Sequence, residues 1–112
     1  MVAAHPAPPR IDPVLDRIDA ALPEAVERLM GFLRVPSIST DPAYKADCAH
    51  MAALIVEDLK SLGFDASVRP TPGHPMVVAH GGEGDRHFLF YGHYDVQPVD
   101  PLNLWKRDPF DP

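Results

Sequence analysis

Residues 88–91, FLFY, are apolar at every position, and the run then ends in Gly92, His93, Tyr94 and Asp95. A strand that shows one face to water alternates apolar with polar; this one does not, so it reads as a central strand covered on both faces. That requirement calls for a layered α/β fold. In open α/β sheets, sites form at the carboxyl ends of such strands, which is where His93 stands. Residues two apart in an extended chain point the same way, so His93 and Asp95 would share a side. Histidine is a common metal ligand. A ligating imidazole usually donates its other N–H to a carboxylate or carbonyl, which fixes its tautomer. Gly92 has no side chain and leaves room for a ligand or another backbone. These residues alone leave two readings open, a metal ligand with its carboxylate partner or an ordinary loop hydrogen bond.

The rest of the chain supplies the elements around that strand. Val14, Leu15, Ile18, Leu22, Val26, Leu29, Met30 and Leu33 fall at helical spacing. Asp12 is the expected N-cap with Pro13 at the first helical position. Pro23 should kink or split this helix, and Pro36 should end it. A second helix carries Cys48, Met51, Ala52, Ile55, Leu59 and Leu62 as one apolar stripe, and Gly63 stops it. FDASVRP (64–70) and MVVAH (76–80) read as strands separated by the turn TPGHP. GGEGD (81–85) is a turn into the third strand, RHFLFYGH (86–93), so the last two strands are expected to form an antiparallel hairpin. The fold class is α/β, two helices followed by three strands of a mixed sheet, the helices covering one face.

Bulk properties exclude several function classes. The net charge is −6, which argues against nucleic acid or an anionic membrane as partner. No apolar run approaches the ~20 residues needed to span a bilayer. The start, MVAAHPAPPR, lacks an apolar signal core, which points to a cytoplasmic protein. The single cysteine, Cys48, rules out an internal disulfide and fits a reducing compartment. Of the 14 prolines, 11 cluster at 6–13, 70–75 and 98–112. Residues 1–11 are expected to be disordered or loosely attached. The last cluster ends the chain in mid-loop, so the 112 residues are expected to be a piece of a longer protein.

The stretch FLFYGHYDVQPVDPLNLWKRDPF resembles the metallopeptidase family that includes carnosinase-type dipeptidases, aminoacylase, acetylornithine deacetylase and succinyl-diaminopimelate desuccinylase. The likeness is nearest to the dipeptidase branch, whose Gly-His-Tyr-Asp-Val-Gln-Pro is followed by Asp-Pro, a tryptophan and a Pro-Phe. Here these are Gly92 to Pro98, Asp100, Pro101, Trp105, Pro109 and Phe110. FLRVPSIST and LGF also look like the family's first and second helix ends, so the resemblance covers roughly residues 14–112. It implies the N-terminal part of a zinc-aminopeptidase-like catalytic domain that holds two Zn2+ ions, with cobalt or manganese as alternatives. By it, His93 is a metal ligand. Asp95, counted with the catalytic residues, is the acidic partner that orients His93 and tunes the metal. The family's bridging aspartate, general-base glutamate, carboxylate ligand and late histidine lie further on than Pro112, as does its dimerisation domain, through which a homodimer is expected. The substrate would be a dipeptide or small N-acyl amino acid.

Other features carry blander readings. GGEGD looks like a phosphate-cradling loop but leads into a strand, not a helix, and reads as a plain turn. His80 and His87 could face each other across the expected hairpin, but no third ligand stands nearby. His50 and His74 receive no role. Cys48 reads as a small core residue, Tyr94 as packing, and Trp105 as the anchor of a Pro-rich loop. Two function classes remain: a metal-dependent amidohydrolase of which this chain is an inactive part, and a non-catalytic α/β module or decayed homologue.

Overall fold

The structure, a computed structural model, describes residues 10–112; the expectation of a loosely attached start lies outside the described residues as far as residue 9. The α/β class and both expected helices are present. Helix α1 runs Asp12–Leu33. A short 3-10 turn, Pro42–Tyr44, leads into α2, Lys45–Ser61. Strands β1, Asp65–Arg69, and β2, Met76–His80, pair antiparallel with Asp65 opposite His80 and Arg69 opposite Met76. A second 3-10 turn spans Leu102–Leu104.

Helix α1 departs from expectation at its start and is not split in its middle. Ile11 occupies the N-cap without a side-chain hydrogen bond, so Asp12 is the first helical residue and not the cap. Its charge still lies in the first turn, where it favours the positive end of the helix dipole. Pro23 sits inside a helix assigned continuously. Proline removes one N–H, and the helical bonds on either side of it carry the helix through. The helix stops before Pro36, because Val35 precedes a proline and is biased out of the α region. No residue of α1 is buried; its apolar stripe covers no sheet face among the described residues, contrary to the two-helix cover expected.

Helix α2 therefore makes the core alone. Asp41 Oδ1 accepts from Ala43 N at 2.9 Å and starts the 3-10 turn, with Pro42 where its missing N–H costs nothing. At the far end Gly63, at φ +89°, closes the helix. Its N–H bonds to the Lys60 carbonyl and that of Phe64 to the Leu59 carbonyl, the paired bonds of a glycine-terminated helix. Cys48, Met51, Ala52 and Val56 of α2 are buried, as are Val35, Ile38 and Ala66. The apolar stripe is turned slightly from the one expected: Val56 is inside, Ile55 and Leu59 are half-buried, and Leu62 is exposed.

The third strand is a correction. Residues 86–93 carry no strand, and the hairpin is β1–β2, joined through the 70–75 turn, instead of β2 with the segment after GGEGD. Phe88, Leu89, Phe90 and Tyr91 are 73–93% exposed. A strand apolar on both faces forms only with hydrogen-bonded neighbours and cover on each side, and the described residues supply neither. In place of a third strand, Ile38 and Val96 make one isolated parallel bridge.

Candidate metal site

That bridge brings the loop after α1 alongside the motif. Val96 N–H donates to the Ser37 carbonyl at 3.0 Å. Ser37 Oγ, wholly buried, donates to the Tyr94 carbonyl at 2.9 Å. Two residues after Ser37 and one after Tyr94, Ser39 Oγ donates to Asp95 Oδ2 at 2.5 Å. The other carboxylate oxygen, Oδ1, lies 2.9 Å from His93 Nδ1, which also lies 3.2 Å from the Asp95 carbonyl. Both of those partners are acceptors, so Nδ1 must carry the ring proton.

The expected pairing of His93 and Asp95 on one side is thus present, while the expected burial is not. The His93 side chain is 76% exposed and that of Asp95 39%. His93 presents Nε2 outward, with no hydrogen-bond partner among the described residues. The Ser39 hydroxyl, and to a smaller extent the His93 ring, hold the Asp95 carboxyl below the ordinary range, against an opposing effect of burial that is second only to Ser39. A proton on Nδ1 and a free Nε2 suit one imidazole ligand backed by a carboxylate. Among the described residues no group of three or more His, Cys, Asp or Glu gathers to hold a metal ion. The residues present therefore fit one ligand of a site and not a whole one.

Tyr94 points away from His93, as alternation requires, and its hydroxyl donates to the Pro75 carbonyl at 2.5 Å. It is half-buried and ties the motif to the 70–75 turn. In the same turn His74 Nε2 donates to the Ser39 carbonyl at 2.7 Å, while its buried Nδ1 has no partner. The turn is shaped by Thr71 Oγ1, which donates to the His74 carbonyl and accepts from Gly73 N. A Cβ added at Gly92 would meet nothing within 4 Å, so among the described residues no close approach there calls for glycine.

The remaining expectations resolve simply. His80 ends β2 and His87 lies in the unpaired segment, so no hairpin sets them face to face. Gly82 and Gly84 take positive φ, as a turn needs. Cys48 is fully buried, and burial first, then the charges of Asp95 and Asp47, pushes its thiol up. Trp105 Nε1 donates to the Val99 carbonyl at 2.8 Å and anchors the 98–105 loop.

Sequence reasoning missed Ser37, Ser39 and His74. Their hydrogen-bonding types were visible, but 56 residues separate Ser39 from Asp95 and no spacing links them.

Comparison with known proteins extends this geometry. No family model matches the chain. It is 32% identical to the Cys-Gly metallodipeptidase DUG1 of Candida albicans across 89% of the chain and 24% of that protein. The corresponding values for the Cys-Gly metallodipeptidase DUG1 of Saccharomyces cerevisiae are 29%, 87% and 23%. The solved structure of the di-peptidase Dug1p from Saccharomyces cerevisiae superposes with a TM-score of 0.75 at 28% identity, over 88% of this chain and 23% of that one. The chain spans about a quarter of the length of these relatives. Over that quarter the chain is homologous to the Cys-Gly metallodipeptidase DUG1 and matches the fold of the di-peptidase Dug1p.

Proposed function

We propose that this chain is the N-terminal part of the catalytic domain of a metal-dependent hydrolase that cleaves the amide bond of dipeptides or small N-acyl amino acids. In this reading the chain contributes one metal ligand, His93, and the carboxylate that orients it, Asp95. The observation that carries it is the His93–Asp95 contact at 2.9 Å, with Nε2 left free, in a chain homologous to metallodipeptidases.

The chemistry divides as follows. Two metal ions, zinc or alternatively cobalt or manganese, would supply Lewis acidity toward the scissile carbonyl and lower the pKa of water. The chain's own residues keep the ligand ready. Asp95 accepts a hydrogen bond from the Nδ1–H of His93, so the lone pair resides on Nε2. The low proton affinity of Asp95, set first by Ser39, keeps that acceptor ionised. With one imidazole in hand and three protein ligands usual for a catalytic zinc, the remaining donors come from sequence outside these residues, and the 112 residues alone are inactive. The parent protein is read as a cytoplasmic homodimer, assembled through a further domain, with no nucleic-acid or membrane partner. No helix among the described residues is long and apolar enough to cross a membrane.

The test is His93→Ala in the full-length protein, followed by metal content and dipeptide hydrolysis. Loss of one metal ion and of nearly all turnover is expected. Retention of full metal content with wild-type turnover would end the reading.

A further inference from the structure

We propose that Ser39 is a positioning residue for this site: its hydroxyl fixes the plane of the Asp95 carboxylate, and through it the His93 ring. The inference rests on the reading of His93 as a ligand only for its consequence on metal affinity; its geometric content stands apart.

The terminal torsion of an aspartate is broad and nearly two-fold, so one hydrogen bond leaves a carboxylate free to swing. Asp95 has two donors on opposite oxygens, Ser39 Oγ on Oδ2 and His93 Nδ1 on Oδ1. Of these, the His93 ring is mostly exposed and sits two residues away on the same segment. It cannot by itself fix the group it depends on. Ser39 comes from a different part of the chain, and its backbone is held on three sides. His74 Nε2 donates to its carbonyl at 2.7 Å. The Ile38–Val96 bridge fixes the preceding residue, and the buried Ser37 hydroxyl grips the Tyr94 carbonyl. Tyr94 closes the ring by donating to the Pro75 carbonyl, beside His74. Segments 37–39, 74–75 and 94–96 thus form one closed set of hydrogen bonds, and among the described residues Ser39 Oγ is the only side-chain atom through which that frame reaches the carboxylate. A rigid donor on Oδ2 directs Oδ1 toward His93, holds the proton on Nδ1 and leaves Nε2 facing out.

A merely structural Ser39 would join two loops without affecting the imidazole, and the two roles separate in one experiment. Full-length wild type, Ser39→Ala and Ser39→Thr are compared by long-range 15N–1H spectra of the His93 ring, metal-free and in mildly alkaline buffer. Zinc affinity is then measured by competition with a chelator. Wild type and Ser39→Thr, which keeps the hydroxyl, are expected to hold the Nδ1–H tautomer. Ser39→Ala is expected to give a mixture of tautomers and to bind zinc about tenfold more weakly, as changes to groups behind a ligand do. A pure Nδ1–H tautomer in Ser39→Ala, or a folded Ser39→Thr that behaves like Ser39→Ala, would overturn the proposal. Should Ser39→Ala not fold, Ser39→Cys, a weak donor of similar size, takes its place with the same expectation. The metal-free spectra keep the outcome independent of the ligand reading. If His93→Ala binds zinc as well as wild type, the functional reading fails, while the tautomer result still decides the role of Ser39.

Discussion

Replacing Asp95 by asparagine removes a charge while keeping the shape, and the structure fixes how much should be lost. Asp95 receives one donor on each oxygen, His93 Nδ1 on Oδ1 and Ser39 Oγ on Oδ2. An asparagine can keep its carbonyl oxygen toward Nδ1–H and turn its amide N–H toward Ser39, whose hydroxyl rotates to accept. Neither hydrogen bond need vanish. The loss is then the charge assistance, which makes a hydrogen bond roughly twice as strong as a neutral one. The carboxylate is also 39% exposed, so water already screens part of that charge. The expected cost sits at the lower end of the ~10–100-fold range for groups behind a ligand, about tenfold in metal affinity or about 1.4 kcal/mol. Chelator competition on the full-length variant measures the affinity, and dipeptide hydrolysis at saturating metal measures what survives. Turnover should fall with metal at least partly retained. Unchanged affinity and turnover in a normally folded variant would make Asp95 a loop residue only. A thousandfold loss would show that the amide takes the opposite orientation and drives the proton onto Nε2.

Four further outcomes are expected. Met51→Ala, at one of the few fully covered positions, should lower stability by about 2–5 kcal/mol in urea unfolding; less than ~0.5 kcal/mol would deny α2 its place as the core helix. Gly63→Ala places a Cβ at φ +89° and should cost about 1 kcal/mol by the same assay, with no change contradicting the helix-end geometry. The Cys48 thiol, raised by burial, should resist a thiol reagent until the protein unfolds; its stabilising contribution is present below the ordinary value of 9.0 and is lost as pH rises through the higher folded value, so rapid labelling near neutral pH would refute its burial. The isolated 112 residues should self-associate in sedimentation through exposed Phe88, Leu89, Phe90 and Tyr91 and hydrolyse no dipeptide with zinc, cobalt or manganese; a monomer with turnover that disappears in His93→Ala would reverse that expectation.

What the sequence disclosed follows from how local each signal is. The glycine stop of α2 and most of its apolar stripe are encoded within one or two turns, and Cys48, Met51 and Ala52 stand where periodicity puts them. The His93–Asp95 contact is also local, two residues along an extended chain. The third strand was not legible, because a strand's existence depends on partners elsewhere; FLFY has the composition of a central strand without the neighbours that would make it one. The same holds for α1, whose stripe is regular in sequence and bare in the structure. Ser39 and His74 were hidden for a related reason. Their roles arise from a crossing of segments 35 and 56 residues apart, which no periodicity records.

The central claim is that His93 Nε2 ligates a metal while Asp95 holds Nδ1. Anomalous diffraction from crystals of the full-length protein grown with zinc tests it most directly. The account predicts an anomalous peak about 2.0–2.1 Å from His93 Nε2, the usual zinc–imidazole distance, with Asp95 Oδ1 still on Nδ1. A fully occupied metal site that excludes His93, or one that binds it through Nδ1 with Asp95 turned away, would contradict it.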